Sequence, residues 1–118
     1  MHPPTSPRVR IEVLAVPGCP NAAAVCELVQ RVASELGIAA DFATVLVEDA
    51  RTAERHRFLG SPTVRVNGRD VEPFVDARAD FGLACRVYRT PAGLSGQPGE
   101  TVLREALRRA SPRESSGR

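Results

Sequence analysis

The chain has 118 residues, of which 42% are apolar and 25% are charged. This length and composition predict one globular domain, too small to include a second catalytic domain. The longest apolar stretches fall far short of the roughly 20 residues that a membrane-spanning helix needs, so we expect no membrane segment.

The charge balance bears on partners and location. All 16 basic residues are arginine and 14 residues are acidic, which leaves a net charge of +2. So small a charge gives little hold on phosphates, and one tyrosine without tryptophan offers no stacking platform for bases, so we expect no nucleic-acid partner. The first residues lack the pattern of a secretory signal, which predicts a cytoplasmic protein. Three cysteines in that compartment favour reactive thiols, metal ligation or core packing over a disulfide framework.

Polar ends flank the predicted domain. Residues 1–7 contain three prolines, and residues 111–118 have almost no apolar content. Such segments cannot bury enough apolar surface to fold, so both are predicted to be disordered tails. The domain itself spans residues 8–110.

The domain opens with a β-α-β unit. In residues 8–16, apolar and polar side chains first alternate and are then followed by a continuous apolar run, as in a strand that becomes buried on both faces. Residues 20–36 carry apolar side chains at the spacing of a helix with one buried face, and Gly37 follows as a C-terminal cap. A second strand over residues 42–47 should lie parallel to the first, after a right-handed crossover.

A short polar helix is predicted next. Asp49 is a good N-cap for a helix over residues 50–58, and Gly60 is expected to end it. Its apolar face is weak, so local sequence specifies this helix less strongly than the first.

A hairpin and a closing helix complete the pattern. Residues 63–66 and 69–71 flank Asn67 and Gly68, a pair that accepts the positive φ values of a type I′ turn. Residues 100–110 place their apolar side chains on one face and are predicted to form the last helix.

Residues 73–98, which we call the insertion, separate the hairpin from the closing helix. An irregular segment of this length in a small domain is typically a lid or a binding segment. Its apolar side chains indicate that it packs on the domain. The chain is therefore expected to be an α/β protein of order β-α-β-α-β-β-α, with a four-stranded mixed sheet and an inserted loop before the last helix.

This order and two short motifs resemble the thioredoxin superfamily over residues 8–110. The motifs are Gly18-Cys19-Pro20, where the first strand enters the first helix, and Gly60-Ser61-Pro62-Thr63, which leads into the hairpin. The resemblance implies that Cys19 is the first cysteine of a redox motif and that Pro62 is a cis-proline beside it. Ala22 stands where the second cysteine of the usual CxxC motif falls, which departs from ordinary dithiol chemistry.

A narrower resemblance is to short bacterial thioredoxin-family and alkylmercury lyase-like proteins. It is carried by a GCPN start, a GSPT segment, an NGRDVEP hairpin and a CRVYRT segment that begins at Cys85. The lyase label implies thiols that bind mercury and an acid that protonates the departing carbon. Glu72, Asp76 and Asp80 lie at the expected end of the sheet as candidate acids, and the alternative for each is a solvated loop charge.

Cys19 is the leading candidate nucleophile. It follows a Pro-Gly turn and precedes Pro20, a residue suited to the first helical position, which predicts that Cys19 is the N-cap. Unpaired backbone amides and the positive end of the helix dipole would stabilise a thiolate there. We therefore expect an activated thiol; the alternative is an indifferent cap.

Cys26 and Cys85 receive different predictions. Cys26 lies two helical turns beyond Cys19, so their Cα atoms are about 10 Å apart, beyond the roughly 7 Å that a disulfide tolerates. Core packing is the favoured role for Cys26, and a resolving role would require the helix start to unwind. Cys85 should emerge at the Cys19 end of the sheet, as a resolving thiol or as a second ligand for a soft ion such as Hg(II) or Cu(I). The alternative for Cys85 is packing with Leu83 and Val87 under the loop.

Other side chains have weaker cases. The backbone of Ser61 and Thr63 around Pro62 is expected to hold an extended thiol substrate by strand-like hydrogen bonds, as the resemblance implies. Arg86 and Tyr88 could orient a substrate, but the favoured role of Tyr88 is to cover apolar surface with its hydroxyl in water.

Three functional hypotheses follow. The first is thiol-dependent chemistry at Cys19 with Cys85 as partner, either thiol–disulfide exchange or handling of an organomercurial, with a small thiol, disulfide or organometal as substrate. The second is a non-catalytic module that binds a soft metal. The third is a redox-inactive protein-interaction platform, with homodimerisation through a sheet edge as one arrangement.

Overall fold

The computed structural model describes residues 8–73, 75 and 77–110. The predicted tails, residues 1–7 and 111–118, lie outside the described residues. The helices of the described part are α1 (Ala22–Glu35), α2 (Ala50–Arg55) and α3 (Glu100–Ala110). Its main strands are β1 (Val9–Ala15), β2 (Ala40–Leu46), β3 (Thr63–Val66) and β4 (Arg69–Asp70), followed by a separate pair, β5 (Tyr88–Thr90) and β6 (Gly93–Ser95).

The main sheet is mixed and has four strands in the order β2-β1-β3-β4. β1 and β2 run parallel, with Ala15 opposite Leu46, and β3 runs antiparallel to β1, with Leu14 opposite Thr63. The predicted β-α-β unit and β3–β4 hairpin are therefore confirmed. This topology brings the end of β1 and the start of β3 to the same edge of the sheet.

Two apolar clusters hold the layers together. The larger one joins β1 and β3 to α1 and α3, and its residues are mostly valine and leucine. The smaller one lies around Leu14 and Phe58 and includes Ala53 from α2 and Val47. β1 thus contributes to both clusters, which explains why its sequence changes from alternating to continuous apolar residues.

The predicted cap of α2 and the predicted turn of the β3–β4 hairpin are both present. The Asp49 carboxylate accepts a hydrogen bond from the Thr52 N–H at 2.8 Å and caps α2. Asn67 and Gly68 both have positive φ values, 52° and 82°, as a type I′ turn requires.

α2 is shorter than predicted. It ends at Arg55 rather than at Phe58, because Arg57 adopts a left-handed conformation with φ of 52°. The Phe58 N–H then donates to the Ala53 carbonyl at 2.8 Å, and the Phe58 side chain is fully buried in the smaller cluster. Burial of a large aromatic side chain outweighs continuation of a polar helix.

The insertion is more ordered than the predicted loop. It contains the β5–β6 hairpin and an isolated parallel bridge between Ser61 and Cys85. Arg86 and Tyr88 are almost completely buried, so these two side chains anchor the insertion, while Leu83, Val87 and Leu94 stay exposed.

The outer strand β2 is largely exposed. Phe42 is 46% exposed and Leu46 is 56% exposed. Pairing of two copies through this edge stays a prediction. Within the described residues, the helices are too short and too polar to cross a bilayer.

Candidate functional site

Cys19 lies in a tight turn between β1 and α1. Its N–H donates to the Val16 carbonyl at 3.2 Å, and Gly18 has φ of 75°. A turn with Pro17 second and a left-handed glycine third is the type II pattern. The turn reverses the chain at the end of β1 and leaves Cys19 partly exposed.

The predicted N-cap position is wrong by two residues. The N-cap of α1 is Asn21, whose carbonyl accepts the Val25 N–H at 3.0 Å, while the Cys19 carbonyl accepts the Ala22 N–H at 3.4 Å. Residues 19–22 thus form a lead-in turn before the helix. Because the Asn21 side chain makes no capping hydrogen bond, it does not occupy the amides at the start of α1.

Ser61 connects the end of β1 to the insertion. Its Oγ accepts the Val16 N–H at 3.0 Å. Its backbone N–H donates to the Ala84 carbonyl, and its carbonyl accepts the Arg86 N–H, both at 2.9 Å. The Ser61–Pro62 peptide bond is cis. Residue 85 therefore lies beside Ser61, and Val16 is hydrogen-bonded to both Ser61 and Cys19.

Gly60 allows this close approach. A Cβ atom at Gly60 would lie 2.9 Å from Arg86 Cβ and 3.2 Å from the Ala84 carbonyl oxygen, and the residue has φ of 125°. Both the space and the backbone conformation favour glycine. The first residue of the GSPT motif is thus explained by the strand that packs on it.

The expected substrate-binding backbone is already occupied. Both backbone groups of Ser61 bond residues of the insertion. Thr63 is buried, donates its hydroxyl to the Gly60 carbonyl at 2.6 Å, and accepts from the Arg86 guanidinium at 3.0 Å. Binding of an extended substrate at Ser61, Pro62 and Thr63 stays a prediction, and it would require residues 84–86 to move.

Arg86 anchors the insertion through a buried charge network. Its guanidinium donates to both Asp70 carboxylate oxygens, at 2.7 and 2.9 Å, and to Glu72 at 2.9 Å. It also lies over the Tyr88 ring, 4.5 Å from the centroid. Burial acts to lower the pKa of Arg86, but the hydrogen bonds to the carboxylates more than offset it, so the net shift is upward. Its Nε is buried without a hydrogen-bond partner in the described structure.

The prediction that the Tyr88 hydroxyl faces water is wrong. Tyr88 is 1% exposed, and its hydroxyl donates to the Pro62 carbonyl. Burial raises the pKa of the Tyr88 hydroxyl, with only partial opposition from the positive charge of Arg86. Arg86 and Tyr88 therefore support the loop around Pro62, a role that short-range sequence patterns do not reveal.

Cys85 lies on the solvent-exposed side of the insertion. It is exposed, and Leu83 and Val87 on either side are 42% and 59% exposed. The alternative in which these three side chains pack beneath the loop is therefore wrong. The alternation of exposed Cys85 and Val87 with buried Arg86 and Tyr88 is that of an extended strand with one solvent face.

The insertion also reaches the start of α1. Gly96 lies so close to Asn21 that a Cβ atom at Gly96 would be 2.4 Å from Asn21 Nδ2. One segment thus contacts both Ser61 and the N-cap residue of the helix that follows Cys19. The end of the sheet that carries Cys19 is the end covered by the insertion.

Cys26 is separated from this arrangement. It is partly buried against the larger apolar cluster, and burial raises the pKa of its thiol. The predicted packing role of Cys26 is confirmed. All three cysteines are free thiols.

Two of the three candidate acids are ion-paired to arginine. Glu72 bonds Arg86, and Asp80 forms a two-pronged ion pair with Arg78 at 3.0 and 2.6 Å. The hydrogen bond from Arg78 lowers the pKa of the Asp80 carboxyl. Asp76 lies outside the described residues.

The described residues around the thiols do not form a cluster of metal ligands. No group of three or more potential ligands gathers among the described residues, so a two-thiolate Hg(II) or Cu(I) site at Cys19 and Cys85 stays a prediction. Two surface cavities, of about 680 and about 470 Å³, are lined by other residues. Comparison of the chain with protein-family models and with curated protein sequences finds no match.

Proposed function

We propose that this chain is a thiol-dependent protein of thioredoxin-like fold, with Cys19 as nucleophile and Cys85 as partner thiol in thiol–disulfide exchange. The observation that carries the proposal is the link at the end of the sheet. Val16 bonds both Cys19 and Ser61, and Ser61 is bridged to Cys85. Cys19 and Cys85 are thus linked through Val16 and Ser61, while Cys26 packs against the core.

The sheet topology supports the fold part of the proposal. A parallel β1–β2 pair, an antiparallel β3 next to β1 and a β3–β4 hairpin form the order β2-β1-β3-β4. A four-stranded mixed sheet with a parallel first pair and a later hairpin is what we expect from the resemblance to thioredoxins. The extra β5–β6 pair then belongs to the insertion.

The position of Cys19 supports its role as nucleophile. Cys19 sits in the turn that feeds α1, at the end of the helix with positive dipole. The Ala22 amide donates to the Cys19 carbonyl, but the Asn21 side chain makes no capping hydrogen bond to the amides that follow. An anionic sulfur is the form that attacks disulfides.

The proposed reaction has two displacement steps. The Cys19 thiolate attacks one sulfur of a substrate disulfide, so a mixed disulfide forms and the other sulfur leaves as a thiolate. The Cys85 thiolate then attacks the Cys19 sulfur, forms a Cys19–Cys85 disulfide and releases the second substrate thiolate. The substrate gains two electrons and the cysteine pair loses two, and a low-molecular-weight thiol or a dithiol restores the pair.

Exchange is better supported than cleavage of a carbon–mercury bond. Cleavage needs an acid to protonate carbon, and Glu72 and Asp80 are both ion-paired to arginine. Exchange needs only two accessible thiols, and Cys85 is exposed.

Peptide mapping after mild oxidation tests the proposal. With glutathione disulfide as oxidant, we expect a Cys19–Cys85 disulfide in the wild-type chain and a Cys19–glutathione adduct in Cys85→Ser. Cys26→Ser is the matched control and should preserve the Cys19–Cys85 bond. Cys26 itself should react last, because its raised pKa keeps it protonated to higher pH than an ordinary thiol.

Two other outcomes of the same experiment would contradict the proposal. Separate glutathione adducts on Cys19 and Cys85 in the wild-type chain would show that the two sulfurs do not meet. An unreactive Cys19 would remove the nucleophile and leave the protein-interaction hypothesis.

A further inference from the structure

The cavity of about 470 Å³ has an unusual concentration of arginine. It is lined by Arg57, Arg65, Arg69 and Arg78, with Phe81 and His56 beside them. Its size falls within the range typical of small-ligand sites. None of the three cysteines lines it, so it is distinct from the thiol site.

Arg65 is held in place at the wall of this cleft. It projects from β3, and its Nη2 donates to the His56 carbonyl at 2.6 Å and to the Arg57 carbonyl at 3.1 Å. Burial lowers the pKa of Arg65, and no described carboxylate lies within ion-pair distance of it. A fixed, partly desolvated guanidinium interacts more strongly with an anion than a mobile surface arginine does.

Arg57 and Arg69 provide two further positive groups. The Arg57 guanidinium stacks over the Phe81 ring, 5.0 Å from its centroid. Both arginines are exposed, and neither forms an ion pair with a described residue. Stacking on an aromatic ring orients the guanidinium without using its hydrogen-bond donors.

Two neighbouring carboxylates are ion-paired to other arginines. Asp70 also lines the cleft, but both of its oxygens accept from Arg86. Asp80 is paired with Arg78. Arg57, Arg65 and Arg69 thus form no ion pair with a described carboxylate, although Glu12 lies opposite Arg65 in the β1–β3 register.

We propose that this cleft binds a small ligand that carries a multiply charged oxyanion, as a phosphate ester or a pyrophosphate does. Guanidinium groups match the oxygens of phosphate in two-pronged hydrogen bonds. Leu59, Val75 and Phe81 provide an apolar wall for the organic part of such a ligand. The cleft is small and lies on a chain of low net charge, which favours a small molecule over a nucleic acid.

Calorimetric titration of the full chain with pyrophosphate and with inorganic phosphate tests the proposal. We expect saturable binding of one pyrophosphate per chain, tighter than phosphate because more guanidinium groups are engaged. Arg57→Gln and Arg69→Gln should each weaken binding by about tenfold, as loss of one charge-assisted hydrogen bond predicts. Arg89→Gln is the matched control, because Arg89 is an exposed arginine on β5 that does not line the cleft.

Two outcomes would overturn the site. One is the absence of saturable pyrophosphate binding at millimolar concentration. The other is equal weakening by Arg89→Gln, which would indicate diffuse attraction to the whole surface. Circular dichroism of each variant separates loss of binding from loss of fold, and the Cys19→Ser variant should bind pyrophosphate as the wild-type chain does.

Discussion

The larger apolar cluster and the Arg86 network stabilise the same small domain by different physics. In the cluster, α1 and α3 bury valine and leucine against β1 and β3, and each contact contributes independently of exact partners. In the network, a guanidinium that is 1% exposed depends on Asp70 and Glu72. The comparison teaches that the shape of the domain comes from apolar burial, whereas the position of Cys85 depends on buried charges that must balance one another.

The largest effect is expected from Arg86→Ala. This change removes the charge partner of the Asp70 carboxylate, which is only 8% exposed and keeps the Glu72 N–H as a donor, and we expect a loss of about 3–5 kcal/mol in the free energy of unfolding. Urea unfolding followed by circular dichroism measures it. The exposed Arg89→Ala is the control and should change stability by less than about 0.5 kcal/mol.

Two further variants sharpen the comparison between cluster and network. Leu107→Ala removes a fully buried side chain of α3 and should cost about 2–5 kcal/mol, with little effect on the exposure of residues 84–86. Arg86→Met combined with Asp70→Asn and Glu72→Gln leaves no buried charge and should recover much of the loss. Equal stability of Arg86→Ala and Arg89→Ala would show that the network contributes nothing.

A smaller effect is expected from Gly60→Ala. The new methyl group would contact Arg86 and Ala84 in a backbone conformation that disfavours alanine, so we expect a loss of about 1–3 kcal/mol. Hydrogen exchange should show faster exchange of the Arg86 amide, which bonds the Ser61 carbonyl. Gly82→Ala is the matched control, because a Cβ atom there meets no other atom within 4 Å. An unchanged Arg86 amide in Gly60→Ala would contradict the packing of residues 84–86 on Gly60.

The smallest effect at neutral pH concerns the ionisation of Tyr88. Burial raises the pKa of its hydroxyl, whereas in the unfolded chain it ionises near pH 10. Stability should therefore be unaffected at pH 7 and should fall as the pH rises above about 10, because the unfolded state releases the proton first. Tyr88 is the only tyrosine and the chain has no tryptophan, so phenolate absorbance near 295 nm reports this residue alone. Full ionisation near pH 10 in a chain that stays folded would contradict the buried hydroxyl.

The sequence pattern predicted those features that depend on nearby residues. The period of the apolar residues identified β1 and α1, the Asn67–Gly68 turn identified the β3–β4 hairpin, and the parallel pairing of β1 with β2 followed from the β-α-β order. The prediction that Cys26 packs against the core was also confirmed. Each of these conclusions rests on residues a few positions apart or on the short connections between successive elements.

Other features depended on contacts between distant residues, and the pattern missed them. The bridge between Ser61 and Cys85 and the hydrogen bond from Tyr88 to Pro62 join segments more than 20 residues apart. The N-cap of α1 is Asn21 and not the predicted Cys19, because several neighbouring residues can begin a helix and the sequence does not distinguish among them.

What the sequence by itself determined is the succession of the three helices and the four strands of the main sheet, and the placement of Cys19 at the junction of the first two elements. The tertiary structure alone decided which side of the insertion is buried. Residues 85–88 alternate between two sides, and the local sequence predicts that the side with the charged Arg86 faces solvent. Asp70 and Glu72 reverse that choice by neutralising Arg86 inside the domain, and the reversal turns Cys85 towards solvent.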